Sequence, residues 1–144
     1  MTRDIDIVIE IDKLEIGKFC QYFAKDFYLA KTSILEAIEY ESMFNIIYNN
    51  SILKIDFIIR KTSFYRGAEF QRRIRTELDG TQIWIVSPED LIISKLFLAK
   101  DSFSELQLRD IKNFWTSIKN LDEKYIGDRI QKLELNTVYE RINI

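Results

Sequence analysis

Residues 4–11 alternate in a strict period of two, and this constrains the fold more than any other feature of the chain. Asp4, Asp6, Val8 and Glu10 fall on one parity; Ile5, Ile7, Ile9 and Ile11 fall on the other. Successive side chains of a strand point to opposite faces. The pattern therefore predicts a strand with a buried isoleucine face and a carboxylate-bearing outer face. Residues 52–60 predict a second strand, with Lys54, Asp56 and Ile58 on one side and Leu53, Ile55, Phe57 and Ile59 on the other. Asp56 is the exception in a run that otherwise reads as a buried central strand. An ionised carboxylate there is costly unless it is paired or bound to metal.

The remaining pattern places these strands in an α+β fold. Residues 13–25 predict a helix with Leu14, Phe19 and Phe23 inward, followed by a short extended piece at 27–29. Thr32 or Ser33 caps a helix to about Tyr40, with Ile34, Leu35 and Ile38 inward. Residues 44–48 form a strand, and Asn49-Asn50-Ser51 turns it into the 52–60 strand as a hairpin. Residues 65–75 predict a basic helix carrying Arg72, Arg73 and Arg75, a patch suited to a polyanion or a solvated, salt-bridged face. Asp79-Gly80 is a turn between two short strands. In Ser87-Pro88-Glu89-Asp90 the serine caps, proline takes the first helical position and Asp90 closes a capping box. Ser104 with Gln107 and then Asp122 open two further helices, and a short fourth ends the chain. Phe44, Phe57, Trp84 and Trp115 are expected in the core. The organisation is a mixed, twisted sheet with flanking helices over residues 1–86, then a helical set over 87–144 packed on it as one compact domain.

Composition removes whole classes of chemistry. The 144 residues contain no histidine, so no histidine base, triad or metal ligand is available. Cys20 is the one cysteine, which excludes an internal disulfide or a zinc cluster. Four separated glycines cannot write a P-loop or a dinucleotide-binding turn. Twenty-one basic against 23 acidic residues give a net charge of −2, without the basic excess of a general nucleic-acid binder. No apolar run is long enough to span a membrane, and the first residues lack the apolar stretch of a signal peptide, so a cytoplasmic location is expected.

Chemistry must then come from carboxylates, Lys, Arg, Ser, Thr or Tyr, and Asp4, Asp6 and Asp56 are the candidate constellation. Two carboxylates two apart on a strand share one side, with Cα atoms about 7 Å apart. A third on a neighbouring strand meets them if the face is shared. Three such groups can hold one or two Mg²⁺ ions through oxygen ligands, and such ions clamp a triphosphate for in-line displacement. The alternative reading of the same alternation is a half-solvated strand with a polar outer face.

The residues also resemble a known family. Thr2-Arg3-Asp4-Ile5-Asp6-Ile7-Val8 looks like the D-x-D strand of the minimal nucleotidyltransferases, the group with the DNA polymerase beta-like fold. Lys54-Ile55-Asp56-Phe57-Ile58 resembles their third-carboxylate strand. Phe27-Tyr28, Ser42-Met43-Phe44-Asn45-Ile46-Ile47, Glu69-Phe70-Gln71-Arg72-Arg73 and Ser87-Pro88-Glu89-Asp90-Leu91-Ile92 resemble a small bacterial subgroup. Lys95-Leu96 and Arg109-Asp110-Ile111 resemble elements of the abortive-infection, type IV toxin branch. The resemblance implies that Asp4 and Asp6 bind Mg²⁺ and nucleotide phosphates, with Arg3 beside them. It implies that Asp56 is the third ligand and base, and that Lys95 reaches a phosphate or the acceptor. Asp110 is expected to be a structural partner of a Lys or Arg.

The implied reaction moves a nucleoside monophosphate from a nucleoside triphosphate to an acceptor hydroxyl on a protein, an RNA end or a small molecule. A toxin–antitoxin or phage-defence setting comes with the resemblance. The family also carries a Gly-Ser motif on a helix before the D-x-D strand, whereas Met1 stands two residues before Arg3 here. A core lacking that first helix is expected, through truncation, degeneration, or completion by a partner protein or second copy. The competing function is a non-catalytic interaction module on the same fold. A nuclease-like acidic metal site is the third.

Overall fold

The isoleucine–aspartate alternation forms strand β1 (Asp4–Ile9) in a computed structural model that describes residues 4–142. Ile7, Ile9 and Ile11 pack on the core, as their parity requires. A 3₁₀ turn (Lys13–Glu15), capped by Asp12 through Leu14 N–H at 2.8 Å, leads into α1 (Ile16–Phe23). The chain continues through β2 (Phe27–Tyr28), α2 (Lys31–Glu39), β3 (Met43–Tyr48) and β4 (Lys54–Ile59). These strands form one mixed sheet in the order β1-β4-β3-β2. β1 runs parallel to β4, while β3 is antiparallel to both β4 and β2.

One face of this sheet is covered by α1 and α2. Ile16, Ile34, Ala37, Phe44, Ile46, Phe57 and Ile59 are buried together there. Phe57 stacks on Phe44 at 5.3 Å between ring centroids and meets the Phe19 ring edge-on at 5.1 Å. Such aromatic pairs add about 0.5–1.5 kcal/mol beyond their area. Beyond β4, Arg60 ties the far end of β1 down: its N–H donates to the Ile9 carbonyl at 3.0 Å and its guanidinium pairs with Glu10.

The chain divides into two compact units, Met1–Gly67 and Ala68–Ile144, with the division inside α3 (Phe64–Gln71). The second unit holds a two-stranded ribbon, β5 (Ile74–Leu78) and β6 (Thr81–Ile85), and four helices. Asp79 (φ 48°) and Gly80 (φ 77°) both adopt the left-handed conformation that a two-residue type I′ hairpin turn requires. The helices are α4 (Pro88–Ala99), α5 (Glu105–Ser117), α6 (Glu123–Lys132) and α7 (Asn136–Glu140). α4 packs against α5, α6 and α7, and buries Ile92, Ile93, Leu96 and Ala99. The architecture is α+β: a mixed four-stranded sheet with helices, plus a C-terminal helical set.

Several local expectations are corrected. The basic helix stops at Gln71, so Arg72 and Arg73 follow it and Arg75 lies in β5, because the chain there pairs with β6. Leu14 is 91% exposed, since the 3₁₀ turn ends before the helical phase begins at Ile16. α2 starts at Lys31, with Ala30 at the N-cap position and no side-chain cap, so neither Thr32 nor Ser33 caps it; Leu35 is exposed and Ala37 is buried. Trp84 is 57% exposed, whereas Phe44, Phe57 and Trp115 are buried as expected.

Candidate functional site

The parallel β1–β4 pairing sets Asp6 directly against Asp56, and Asp4 against Lys54. Neighbouring strands lie about 4.8 Å apart, and residues paired in register share a face. The opposite sheet partner of Asp56 is Asn45 of β3. Asp6, Asp56, Lys54 and Asn45 therefore occupy adjacent positions on the face away from the α1–α2 core. Sequence parity found both carboxylates. It missed Asn45, whose place beside Asp56 depends on the hairpin register.

The two described carboxylates differ in their surroundings. Asp6 is exposed, whereas Asp56 is 6% exposed in the middle of β4. Lys54 Nζ lies 3.1 Å from Asp56 Oδ2 and supplies a counter-charge from two residues away on the same strand face. Asp56 Oδ1 is buried without a hydrogen-bond partner among the described residues. An acceptor left so costs about 1–3 kcal/mol. A second carboxylate in register with it adds repulsion. A cation placed between Asp6 and Asp56 would relieve both, so this pair fits a divalent ion held by hard oxygen ligands. Asp4 is described in its backbone alone, and Arg3 lies outside the described residues. Among the described side chains no three acidic or thiol groups converge.

The second unit holds the other predicted residues. Lys95 of α4 lies 2.9 Å from Asp110 Oδ2 of α5, so Asp110 has the structural role expected of it and Lys95 is engaged within the helical set. Arg73 donates to the Phe70 carbonyl at 2.6 Å and lies over the rings of Phe70 and Trp84. Arg72 reaches inward. Its Nε donates to Asp90 Oδ2 at 3.0 Å, and its guanidinium covers the Tyr125 ring at 3.8 Å.

Asp90 is fully buried at the centre of this network. Ser87 Oγ accepts from the Asp90 N–H at 3.1 Å and donates to Oδ2 at 2.6 Å, and the Tyr125 hydroxyl donates to Oδ1 at 2.6 Å. The capping motif announced the Ser87–Asp90 pairing; nothing local announced Arg72 or Tyr125. Burial pushes the Tyr125 phenol above its ordinary range, and the hydrogen bond and charge of Asp90 add to this against the opposing Arg129. Burial works against the Arg72 guanidinium, but the Asp90 hydrogen bond and the charges of Asp90, Tyr125 and Glu89 outweigh it and raise it. With both carboxylate oxygens engaged, this network is a structural clasp between the start of α4, the Arg72 segment and α6.

No helix among the described residues is long and apolar enough to cross a membrane. Comparison with the models of known protein families finds no match, and no curated protein matches either.

Proposed function

We propose that the chain is a Mg²⁺-dependent nucleotidyltransferase, in which Asp4, Asp6 and Asp56 hold the metal and Arg3 serves the phosphates. The observation that carries this reading is the buried, unpartnered Oδ1 of Asp56 beside Asp6 on the next strand. A structural aspartate in a central strand would have its oxygens satisfied by donors. Asp56 instead keeps one oxygen for something not supplied by the described residues.

When bound, Mg²⁺ would neutralise phosphate charge and stabilise in-line displacement at the α-phosphorus. The chain's own part is to orient and to move a proton. Asp6 and Asp56 face the phosphates from adjacent strands. Asp56 accepts the proton of the acceptor hydroxyl as its oxygen bonds to the α-phosphorus. The α–β phosphoanhydride bond breaks, and pyrophosphate leaves with the electron pair. Lys54 holds the Asp56 carboxylate in place through its other oxygen.

A second reading is a non-catalytic module on the same fold. It is favoured by the Lys54–Asp56 pair, which already supplies part of the counter-charge that a metal would bring. Calorimetric titration of ATP, GTP, CTP and UTP with Mg²⁺ separates the two. Nucleotide binding that requires Mg²⁺ and vanishes in Asp4→Asn/Asp6→Asn is expected. Absence of binding at millimolar nucleotide, or binding indifferent to metal and to the substitutions, refutes the enzyme reading.

A further inference from the structure

The β5–β6 ribbon is a two-stranded sheet that no third strand joins among the described residues. An isolated hairpin is at best marginally stable in water; a third strand or a covering layer is normally needed. Opposed residues share a face, so Ile74, Thr76, Leu78, Thr81, Ile83 and Ile85 line one side. Ile74, Leu78 and Ile85 on that side remain 43%, 60% and 44% exposed.

The outer edge of β5 is equally specific. The two-residue turn makes Leu78 and Thr81 the first hydrogen-bonded pair. Alternation along an antiparallel ladder then points the amide and carbonyl groups of Arg75 and Glu77 outward. Both side chains are exposed. Arg75 has no ion-pair partner among the described residues, and Glu77 accepts only the Gln82 amide, at 3.1 Å.

We infer that β5 pairs antiparallel with β5 of a second copy of this chain, about a two-fold axis at Thr76, to make a continuous four-stranded sheet. This register sets Arg75 against Glu77 of the second copy, twice over, and Ile74 against Leu78 on the apolar face. The outward-pointing backbone groups are those of the residues brought opposite each other, as an antiparallel ladder demands. β6 has no such self-complementarity. Read against itself about Ile83, it opposes Gln82 to Trp84 and Thr81 to Ile85, with no charge pair. The charges on β5 thus favour one partner, a second copy, over indiscriminate edge pairing.

Sedimentation equilibrium and light scattering on the full chain test this. The wild type is expected to shift with concentration from 17.2 kDa toward twice that mass. Arg75→Glu alone, or Glu77→Arg alone, places like charges opposite each other at both pairs and is expected to weaken association about tenfold or more. Mixing the two single variants restores a dimer, because the acidic edge of one meets the basic edge of the other; Arg75→Glu/Glu77→Arg restores it within one chain. A folding defect would not be rescued by mixing. A wild type that stays monomeric to concentrations on the order of 1 mM overturns the inference. So does a dimer insensitive to both reversals, or a loss that neither mixing nor the double substitution repairs.

Discussion

Replacing Asp56 by valine should stabilise the chain while removing its response to Mg²⁺ and nucleotide. Asp56 sits almost fully buried in β4 with Oδ1 unpartnered among the described residues, at a cost of about 1–3 kcal/mol. Valine is close to aspartate in size and favours strands, and its burial contributes about 1–2 kcal/mol. Against this stands the ion pair with Lys54. The lysine side chain is 35% exposed, so its amine keeps access to water when the carboxylate goes, and the lost pair is worth about 1 kcal/mol or less. The balance is a gain of about 2 kcal/mol. At a slope of about 2 kcal/mol per molar urea, the unfolding midpoint rises by about 1 M in metal-free buffer. With Mg²⁺ and nucleotide at about 100 times the dissociation constant, the wild type should gain about 2.7 kcal/mol and Asp56→Val nothing. Urea titration followed by far-ultraviolet circular dichroism, with and without Mg²⁺-nucleotide, reads both effects. A midpoint that falls on substitution would refute the reasoning. Asp56 would then be a structural partner of Lys54, held for the stability of the sheet.

Two further outcomes follow from the second unit. The Tyr125 phenol is raised, so its contribution is full below the ordinary tyrosine value near 10 and is lost as pH rises through the higher folded value. Titration of phenolate absorbance should lose a late step in Tyr125→Phe; a late part of the curve left unchanged by the substitution would contradict the Asp90 hydrogen bond. Glu134 (φ 56°) occupies the left-handed position after α6, where Leu135 N–H bonds the Ile130 carbonyl at 2.9 Å and Glu134 N–H bonds that of Gln131 at 3.2 Å. Glycine meets less steric penalty there, so Glu134→Gly should raise stability by about 0.5–1 kcal/mol; a lower thermal midpoint counts against this.

What could be read from the sequence was whatever a short period encodes. Alternation fixes which residues of a strand share a side, so the Ile7–Ile9 face, the Phe57–Ile59 face and the carboxylate face were legible. The capping motif marked the start of α4, because its partners are three residues apart. Features that depend on distant pairing were not legible. Arg72 to Arg75 are acceptable helix formers, and only pairing with β6 draws Arg75 into a strand. Trp84 gave an aromatic's usual signal for burial, yet it lies on an exposed ribbon under Arg73. For the site, parity put Asp6 and Asp56 on suitable faces. Their exact opposition and the Lys54 contact follow from the parallel register between β1 and β4, which no local pattern records.

That register has a consequence for the order in which the chain acquires its structure. β3 and β4 are joined by a short turn and can zip locally, whereas β1 must find β4 from fifty residues away, as Asp6 does Asp56. Closing a loop of that length costs about 3.5 kcal/mol in chain entropy, and long-range parallel pairing is among the slower events of folding. The carboxylate pair is therefore absent from any early, hairpin-only state. It comes into being when the edge strand docks, and its own repulsion opposes that docking. On the proposed reading, a cation held by Asp6 and Asp56 would act as a latch on β1, retarding its fraying from β4.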